Sequence, residues 1–125
     1  MPVRVLVVDD EPTVVASLRE ILQQAGFEPI CATSFEEGHR ALLEDPAPDI
    51  LVADIRLGDF NGLQLVAVRP PSTAAVVMSG HWDNTLEAEA RKHGAAYLPK
   101  PMSANMLVGT IKQVLAGREA GESSA

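Results

Sequence analysis

The sequence predicts an α/β domain in which a doubly wound parallel sheet of five strands carries helices on both faces. Short apolar, β-branched runs recur with starts roughly 20 to 27 residues apart, which is the length of one strand, one helix and two short loops. Helical patterns with start and stop signals fill the intervals between these runs. Since the chain has 125 residues, we expect one ordinary domain.

Five short runs are predicted to form the strands. The first, third and fourth are apolar at nearly every position, which is typical of strands buried on both faces in a parallel sheet covered by helices. The second run is weaker. Each connection between consecutive strands is expected to be right-handed. The predicted strands are Val3–Val8, Pro29–Ala32, Ile50–Ala53, Ala75–Met78 and Ala96–Leu98.

The predicted helices follow from apolar spacing and from end signals. The first has one apolar stripe, a proline suited to its first turn and a glycine directly after it. The second opens with a capping-box signature at Ser34–Glu37, and a glycine follows each of the last two. The third interval has room for only about two turns. The predicted helices are Pro12–Ala25, Ser34 to about Glu44, a short helix between Gly62 and Pro70, Asp83–His93 and Ser103–Ala116.

The charge and composition exclude several classes of protein. A balance of 17 acidic against 10 basic residues gives a net charge of −7, which disfavours direct binding of nucleic acid. No apolar run approaches the length of a membrane span or of a signal-peptide core. The single cysteine, Cys31, has no partner for an intrachain disulfide, and no Cys/His spacing indicates zinc. We therefore expect a soluble, cytoplasmic protein.

Polar side chains follow four of the predicted strands. Asp9 and Asp10 come directly after the first strand and Asp54 after the third. Ser79 closes the fourth strand, and Lys100 lies just beyond the fifth. Ligands of such sheets bind outside the carboxyl ends of the strands. If the first and third strands are neighbours, the three carboxylates converge at this edge.

Converging carboxylates need a counter-charge. Two of them about 4–5 Å apart repel by roughly 3–4 kcal/mol at an effective dielectric constant near 20. An oxygen-only site with few protein ligands suits Mg²⁺. Taken alone, the Asp9-Asp10 pair is often no more than a helix cap. The joint placement of polar groups at four strand ends favours a magnesium site.

Four motifs resemble the receiver domain of bacterial two-component response regulators, in the family's order and with similar separations. The resemblance runs from about Val3 to Ala116. It implies a flavodoxin-like sheet of strand order 2-1-3-4-5, with residues 1–117 as the receiver domain and 118–125 as a polar C-terminal tail or the start of a linker. The motifs are Val7–Glu11, Asp54–Leu57 with Asn61-Gly62, Val77–Gly80 and Lys100-Pro101.

The resemblance implies roles for the acidic residues. Asp54 matches the aspartate that accepts a phosphoryl group from a histidine kinase or a phosphotransfer protein. Asp9 and Asp10 match the acidic pair that holds Mg²⁺ together with Asp54. The backbone carbonyl of Arg56 matches a further ligand of the ion.

The resemblance also implies a switch. Ser79 and Lys100 match the hydroxyl and ammonium groups that bind the phosphoryl group, and Tyr97 matches an aromatic residue whose rotamer follows the switch. The Lys100–Pro101 peptide bond is predicted to be cis. In the family, the face formed by the fourth helix, fifth strand and fifth helix (α4–β5–α5) contacts the regulated partner.

Three positions and one interval depart from the family pattern or vary within it. Gly58 stands where the family usually has proline, which predicts a more mobile loop after Asp54. The interval from Gly62 to Ser79 is about one helical turn shorter than is usual in the family, so the third helix is expected to be clipped. Arg56 and His81 occupy variable positions at the mouth of the site, where the family tunes phosphoryl removal.

We therefore expect a phosphoryl-accepting regulatory switch, which assists its own phosphorylation and dephosphorylation but is not otherwise an enzyme. Its expected partners are a sensor histidine kinase or phosphotransfer protein and a downstream effector or output domain, with a homodimer as a further option and no contact with nucleic acid or membrane. One alternative is a pseudo-receiver, an unphosphorylated binding or dimerisation module. A phosphohydrolase of the haloacid dehalogenase type is disfavoured, because the first strand lacks its Asp-x-Asp motif.

Overall fold

Five strands and five helices alternate along the chain. The structure, a computed structural model, describes residues 2–80 and 84–124. A short hairpin of two paired segments, Arg56–Leu57 and Phe60–Asn61, lies between the third strand and the third helix. The other elements are β1 (Arg4–Val8), α1 (Pro12–Gln24), β2 (Glu28–Ala32), α2 (Phe35–Leu42), β3 (Ile50–Asp54), α3 (Gly62–Val68), β4 (Ala74–Ser79), α4 (Asn84–Lys92), β5 (Ala96–Pro99) and α5 (Ala104–Ser124).

The main sheet has the predicted architecture. Its order is β2-β1-β3-β4-β5, and all neighbouring strands are parallel. In this register Val8 lies between Ala32 on one side and Ala53 on the other, and Asp54 pairs with Met78. The carboxyl ends of β1, β3 and β4 therefore meet at one edge of the sheet.

The core forms two layers, one on each face of the sheet. Because successive side chains of a strand point to opposite faces, a strand that is covered on both sides must be apolar throughout. Val5–Val8 are all fully buried, as are Ile50–Ala53. One layer packs β-strand residues such as Val8 and Val77 against α2, α3 and α4. The other packs Val7 and Met78 against α1 and α5. The largest fully buried helix residues in these layers are Leu42 and Leu65 in the first and Leu22, Leu107 and Ile111 in the second.

The ends of most helices follow the predicted signals. Pro12 opens α1, and Gly26 and Gly94 have the positive φ angles (+88° and +78°) that favour glycine after a helix. Ser34 caps α2 by accepting a hydrogen bond from the Glu37 amide. The predicted start of α4 at Asp83 lies outside the described residues.

The predicted end of α5 at Ala116 is wrong, because the helix continues to Ser124. Among the described residues only Gly26, Gly58 and Gly94 have positive φ angles, so Gly117 does not adopt the conformation of a helix-stopping glycine. A helical glycine costs about 1 kcal/mol relative to alanine. The residues that follow, Arg118, Glu119 and Ala120, are strong helix formers that offset this cost. The division into a domain and a tail or linker stays a prediction.

The short helix α3 has seven residues, and Arg69 ties its end to two other elements. The guanidinium donates from Nη1 to the Val66 carbonyl (2.7 Å), from Nε to the Thr73 carbonyl (2.7 Å) and from Nη2 to the His93 carbonyl (3.2 Å). One side chain therefore holds the end of α3, the start of β4 and the end of α4 together.

Replacing Arg69 with alanine is expected to lower the free energy of unfolding by about 2 kcal/mol, because three carbonyls lose a charged donor. Urea denaturation measures this change. Arg91→Ala is the matched control: it removes an exposed ion pair with Glu87 and should cost at most about 0.5 kcal/mol. Equal effects of the two substitutions would contradict the role given to Arg69.

Candidate functional site

Three carboxylates converge at the carboxyl edge of the sheet. Asp9 and Asp10 follow β1, and Asp54 is the last residue of β3. Because β1 and β3 are neighbours, one carboxylate oxygen from each residue lies within 4.8 Å of the others. Asp9 is fully buried, Asp54 is 8% exposed and Asp10 is exposed. The predicted convergence is therefore present in the structure.

Lys100 supplies the positive charge nearest to this cluster. Its Nζ atom lies 2.6 Å from Oδ2 of Asp9 and 3.3 Å from Oδ2 of Asp54. Its backbone amide donates to the Ser79 carbonyl (2.8 Å), which joins the ends of β4 and β5. The peptide bond between Lys100 and Pro101 is cis, as predicted.

The pKa values of Asp54 and Lys100 reflect this crowding. Burial is the largest influence on the pKa of Asp54 and raises it; the Lys100 ammonium lowers it, the Asp9 charge raises it, and the net direction is upward. Burial lowers the pKa of Lys100, but the hydrogen bond to Asp9 and the charges of Asp54 and Asp9 outweigh burial and raise it. Lys100 therefore stays charged at neutral pH.

Backbone amides orient each carboxylate. The Glu11 amide donates to Oδ1 of Asp9 (3.0 Å), and the Arg56 amide donates to Oδ1 of Asp54 (3.3 Å). The Gly58 amide reaches across from the hairpin to Oδ2 of Asp10 (3.3 Å). All three acids are thus held by main-chain amides, and Asp9 and Asp54 are also held by the Lys100 charge.

A pocket of about 280 Å³ opens above the carboxylates. Ser79, which is 5% exposed, lies in its wall, and the exposed Arg56 lies at its mouth. A larger groove of about 410 Å³ lies beside it between α1 and the segment after β5, but its mostly apolar lining contains no carboxylate. The smaller pocket is lined by Asp10, Glu11, Asp54, Arg56, Ser79, Gly80 and Lys100.

One of the predicted switch residues, Tyr97, does not line this pocket. Tyr97 is half-buried on β5, where it packs against the core layer that contains α4, and it pairs in register with Val77. His81 lies outside the described residues. The roles predicted for both residues stay predictions.

The donor set of the site fits a hard divalent cation. The three acids offer only carboxylate oxygens, which Mg²⁺ prefers, and the described residues that line the pocket provide neither thiolate nor imidazole ligands. Arg56 also lines this pocket, and a residue whose backbone carbonyl binds the ion must lie there. Asp9, Asp10, Asp54 and the Arg56 carbonyl are therefore the groups that could hold Mg²⁺.

Sequence reasoning missed the hairpin after Asp54. Gly58 and Asp59 form its two-residue turn, and Leu57 pairs with Phe60. Gly58 has a φ angle of +63°, whereas Asp59 does not have a positive one, which is the pattern of a type II′ turn. The loop after Asp54 thus has a defined turn, and the mobility expected from the missing proline stays a prediction. The signal in the sequence was the Gly58-Asp59 pair between two apolar residues.

Comparison with known proteins identifies the family. The family model of the response regulator receiver domain matches residues 5–112. The chain belongs to this family. Phosphoaspartate and Mg²⁺ are typical of receiver domains, which are regulatory phosphoacceptor domains of two-component systems. None of the helices in the described part of the chain combines the length and the apolar character that crossing a membrane requires.

Curated relatives include full-length response regulators. The chain is 30% identical over 117 residues to the two-component response regulator PprB of Pseudomonas aeruginosa, which covers 88% of this chain and 42% of PprB. It is 31% identical over 118 residues to the TorCAD operon transcriptional regulatory protein TorR of Escherichia coli, which covers 92% of this chain and 51% of TorR. The chain thus spans about half the length of these two relatives.

Solved receiver domains share the fold. A CheY-like receiver domain protein from Methanospirillum hungatei superimposes with a TM-score of 0.89 at 26% identity, covering 97% of this chain and 99% of that one. The beryllofluoride-activated NtrC4 receiver domain dimer gives a TM-score of 0.83 at 30% identity, covering 91% and 97%. The receiver fold is therefore shown by sequence and by structure.

Gly62, the first residue of α3, lies against the backbone that carries Asp54. A Cβ atom at this position would overlap the Asp54 carbonyl oxygen, which is main chain and has little freedom to move. We expect Gly62→Ala to lower the free energy of unfolding by about 1–3 kcal/mol. Gly109→Ala is the control, since a Cβ on this exposed position of α5 meets nothing within 4 Å. It should raise stability by up to about 1 kcal/mol in the same urea titration.

Proposed function

We propose that this receiver domain is a switch that accepts a phosphoryl group on Asp54 from the histidine of a kinase or of a phosphotransfer protein. The observation that carries the proposal is the Lys100 ammonium, 2.6 Å from Asp9 and 3.3 Å from Asp54, beside three carboxylates that could hold Mg²⁺. This arrangement joins a nucleophile to the charges needed to approach an anionic phosphoryl group.

The transfer exchanges one bond to phosphorus for another. A carboxylate oxygen of Asp54 attacks the phosphorus atom of a phosphohistidine, an O–P bond forms, and the N–P bond breaks with its electron pair returning to the imidazole. Lys100 offsets negative charge on Asp54 and on the phosphoryl oxygens. Mg²⁺, when bound, screens the same charge and orients the two reacting groups. Asp9 and Asp10 would hold the ion with Asp54 and the Arg56 carbonyl.

The product state would have contacts that the unphosphorylated state lacks. Ser79 and Lys100 both line the pocket. Their hydroxyl and ammonium groups would donate to phosphoryl oxygens, and Tyr97 would follow on β5. Such differential contacts are what a two-state switch requires. Arg56 and His81 would tune phosphoryl removal at the mouth.

The readout would be the α4–β5–α5 face, contacting an effector or an output domain in a cytoplasmic regulatory pathway, with no direct nucleic-acid or membrane contact. We infer no enzymatic activity beyond assisted phosphorylation and dephosphorylation. Homodimerisation belongs to the same proposal, since one structural neighbour is described as an activated receiver domain dimer. The alternative, a pseudo-receiver, would keep this face without phosphorylation, and it predicts no reaction with acetyl phosphate.

Replacing Asp54 with asparagine is expected to abolish phosphorylation, because the amide keeps the shape and loses the nucleophile. Intact-protein mass spectrometry after treatment with acetyl phosphate and Mg²⁺ should show one added phosphoryl group on the wild type and none on the variant. Asp59→Asn, in the exposed turn nearby, is the control and should be labelled normally. Persistent stoichiometric labelling of the Asp54→Asn variant would exclude Asp54 as the acceptor.

The same substitution is expected to raise the free energy of unfolding at pH 7. The pKa of Asp54 is raised in the folded chain, mainly by burial, so ionised Asp54 disfavours folding at every pH above its folded pKa. This cost disappears as the pH falls below the pKa that the Asp54 carboxyl has in the unfolded chain. Urea titrations at several pH values should therefore show an advantage of the variant that grows as pH rises through the acid range and then stays constant.

Replacing Ser79 with alanine is expected to preserve labelling of Asp54 but to weaken the switch by about 1–3 kcal/mol, the usual range of allosteric coupling. Trp82, the only tryptophan, follows Ser79 by three residues in the sequence and lies outside the described residues. Its emission change on addition of beryllofluoride and Mg²⁺ is the measurement. Ser17→Ala, on the exposed side of α1, is the control. An unchanged response of Ser79→Ala would remove this serine from the switch.

A further inference from the structure

We propose that Phe60 is a positioning residue of the cation site, which acts by stacking on Phe35 and thereby holding the Gly58 amide against Asp10. The inference rests on the proposed function, since the cation is the Mg²⁺ of that reaction. Phe60 touches none of the reacting groups and would act only through the hairpin that carries it.

The stack joins two elements that flank the acidic pocket. The rings of Phe60 and Phe35 are nearly parallel (15°), with centroids 4.4 Å apart, and the His39 ring also stacks on Phe35, with centroids 5.9 Å apart. Phe35 and His39 belong to α2, whereas Phe60 belongs to the hairpin after β3. The stack therefore fixes the hairpin to a helix that is itself packed on the core.

The hairpin transmits this constraint to Asp10. Phe60 pairs with Leu57, and only the two turn residues separate them, so the position of the ring fixes the position of the Gly58 amide. That amide donates to Oδ2 of Asp10 (3.3 Å). Asp9 and Asp54 are held by burial and by Lys100, but Asp10 is exposed and depends more on such a contact.

The contact with Asp10 also depends on having glycine at position 58. A proline there could not donate this hydrogen bond, and its ring would forbid the φ angle of +63° that the turn adopts. Phe60 itself is 41% exposed, so burial in the core does not account for a large apolar side chain at this position. The stacking of Phe60 on Phe35 and its link through the hairpin to Gly58 account for a large apolar side chain here.

The experiment measures two quantities that a purely structural role would leave unchanged. The first is hydrogen exchange of the Gly58 amide by NMR in the metal-free protein, and the second is the Kd for Mg²⁺ by calorimetry. The variants are Phe60→Ala, Phe60→Leu, which keeps apolar bulk without a ring, and Phe60→Tyr, which restores the ring. Val68→Ala, an exposed apolar residue of α3 (48%), is the matched control. The free energy of unfolding is measured for each.

We expect Phe60→Ala to raise the Kd for Mg²⁺ about tenfold and to speed exchange at Gly58 by a similar factor, as for other groups that orient metal ligands. Phe60→Leu should raise the Kd at least threefold, and Phe60→Tyr and Val68→Ala should stay within about twofold of the wild type. In a Phe35→Ala background the effect of Phe60→Ala should largely disappear, because the stack is already lost.

A Kd within twofold of the wild type for Phe60→Ala, unchanged exchange at Gly58, or full additivity with Phe35→Ala would each overturn the proposal. These results differ from a failure of the proposed function, in which the wild type itself binds no Mg²⁺ at millimolar concentration. That result would overturn both, and the exchange data on the metal-free protein would still show whether the ring holds the Gly58 amide.

Discussion

The ion pairs of Lys100 are the interaction on which the rest of the site depends. Asp9 is a carboxylate with no exposed surface, and burying an unpaired ion costs several kcal/mol. The ammonium 2.6 Å away makes this burial tolerable, and it also contacts Asp54. Lys100 reaches both acids only because β4 lies between β3 and β5 and the Lys100 amide is anchored on the Ser79 carbonyl. The sheet order and the charge pattern therefore support each other.

Sequence reasoning succeeded where local pattern and tertiary environment agree. Strands apolar throughout, such as Ile50–Ala53, must be covered on both faces, and polar residues placed directly after such strands must meet at one edge. The convergence of Asp9, Asp10, Asp54 and Lys100 was predictable for this reason, and the family motifs added their expected roles. The end of α5 was not predictable from the sequence, because the cost of a helical glycine is small enough for the following residues to offset it.

Other features depend on partners that are distant in the sequence. The contacts of Arg69 join three elements, and its sequence neighbours give no sign that the Thr73 and His93 carbonyls lie within reach. The stack of Phe60 on Phe35 likewise exists only once α2 and the hairpin meet. Gly58 was interpreted as the loss of a rigid proline. In the fold, glycine adds a hydrogen bond that proline could not make, because the Gly58 amide donates to Asp10 and proline has no amide hydrogen.

The position of the pocket explains how a local event could reach a distant face. Ser79 pairs with Pro99 at the ends of β4 and β5, and the neighbouring residues of these strands belong to both core layers. Met78 packs on the side of α1 and α5, whereas Tyr97 packs on the side of α4. A shift of Ser79 toward Asp54 would therefore strain both layers at once. Because close-packed layers adjust in discrete steps, such a shift would favour a second arrangement of α4, β5 and α5 over a gradual deformation.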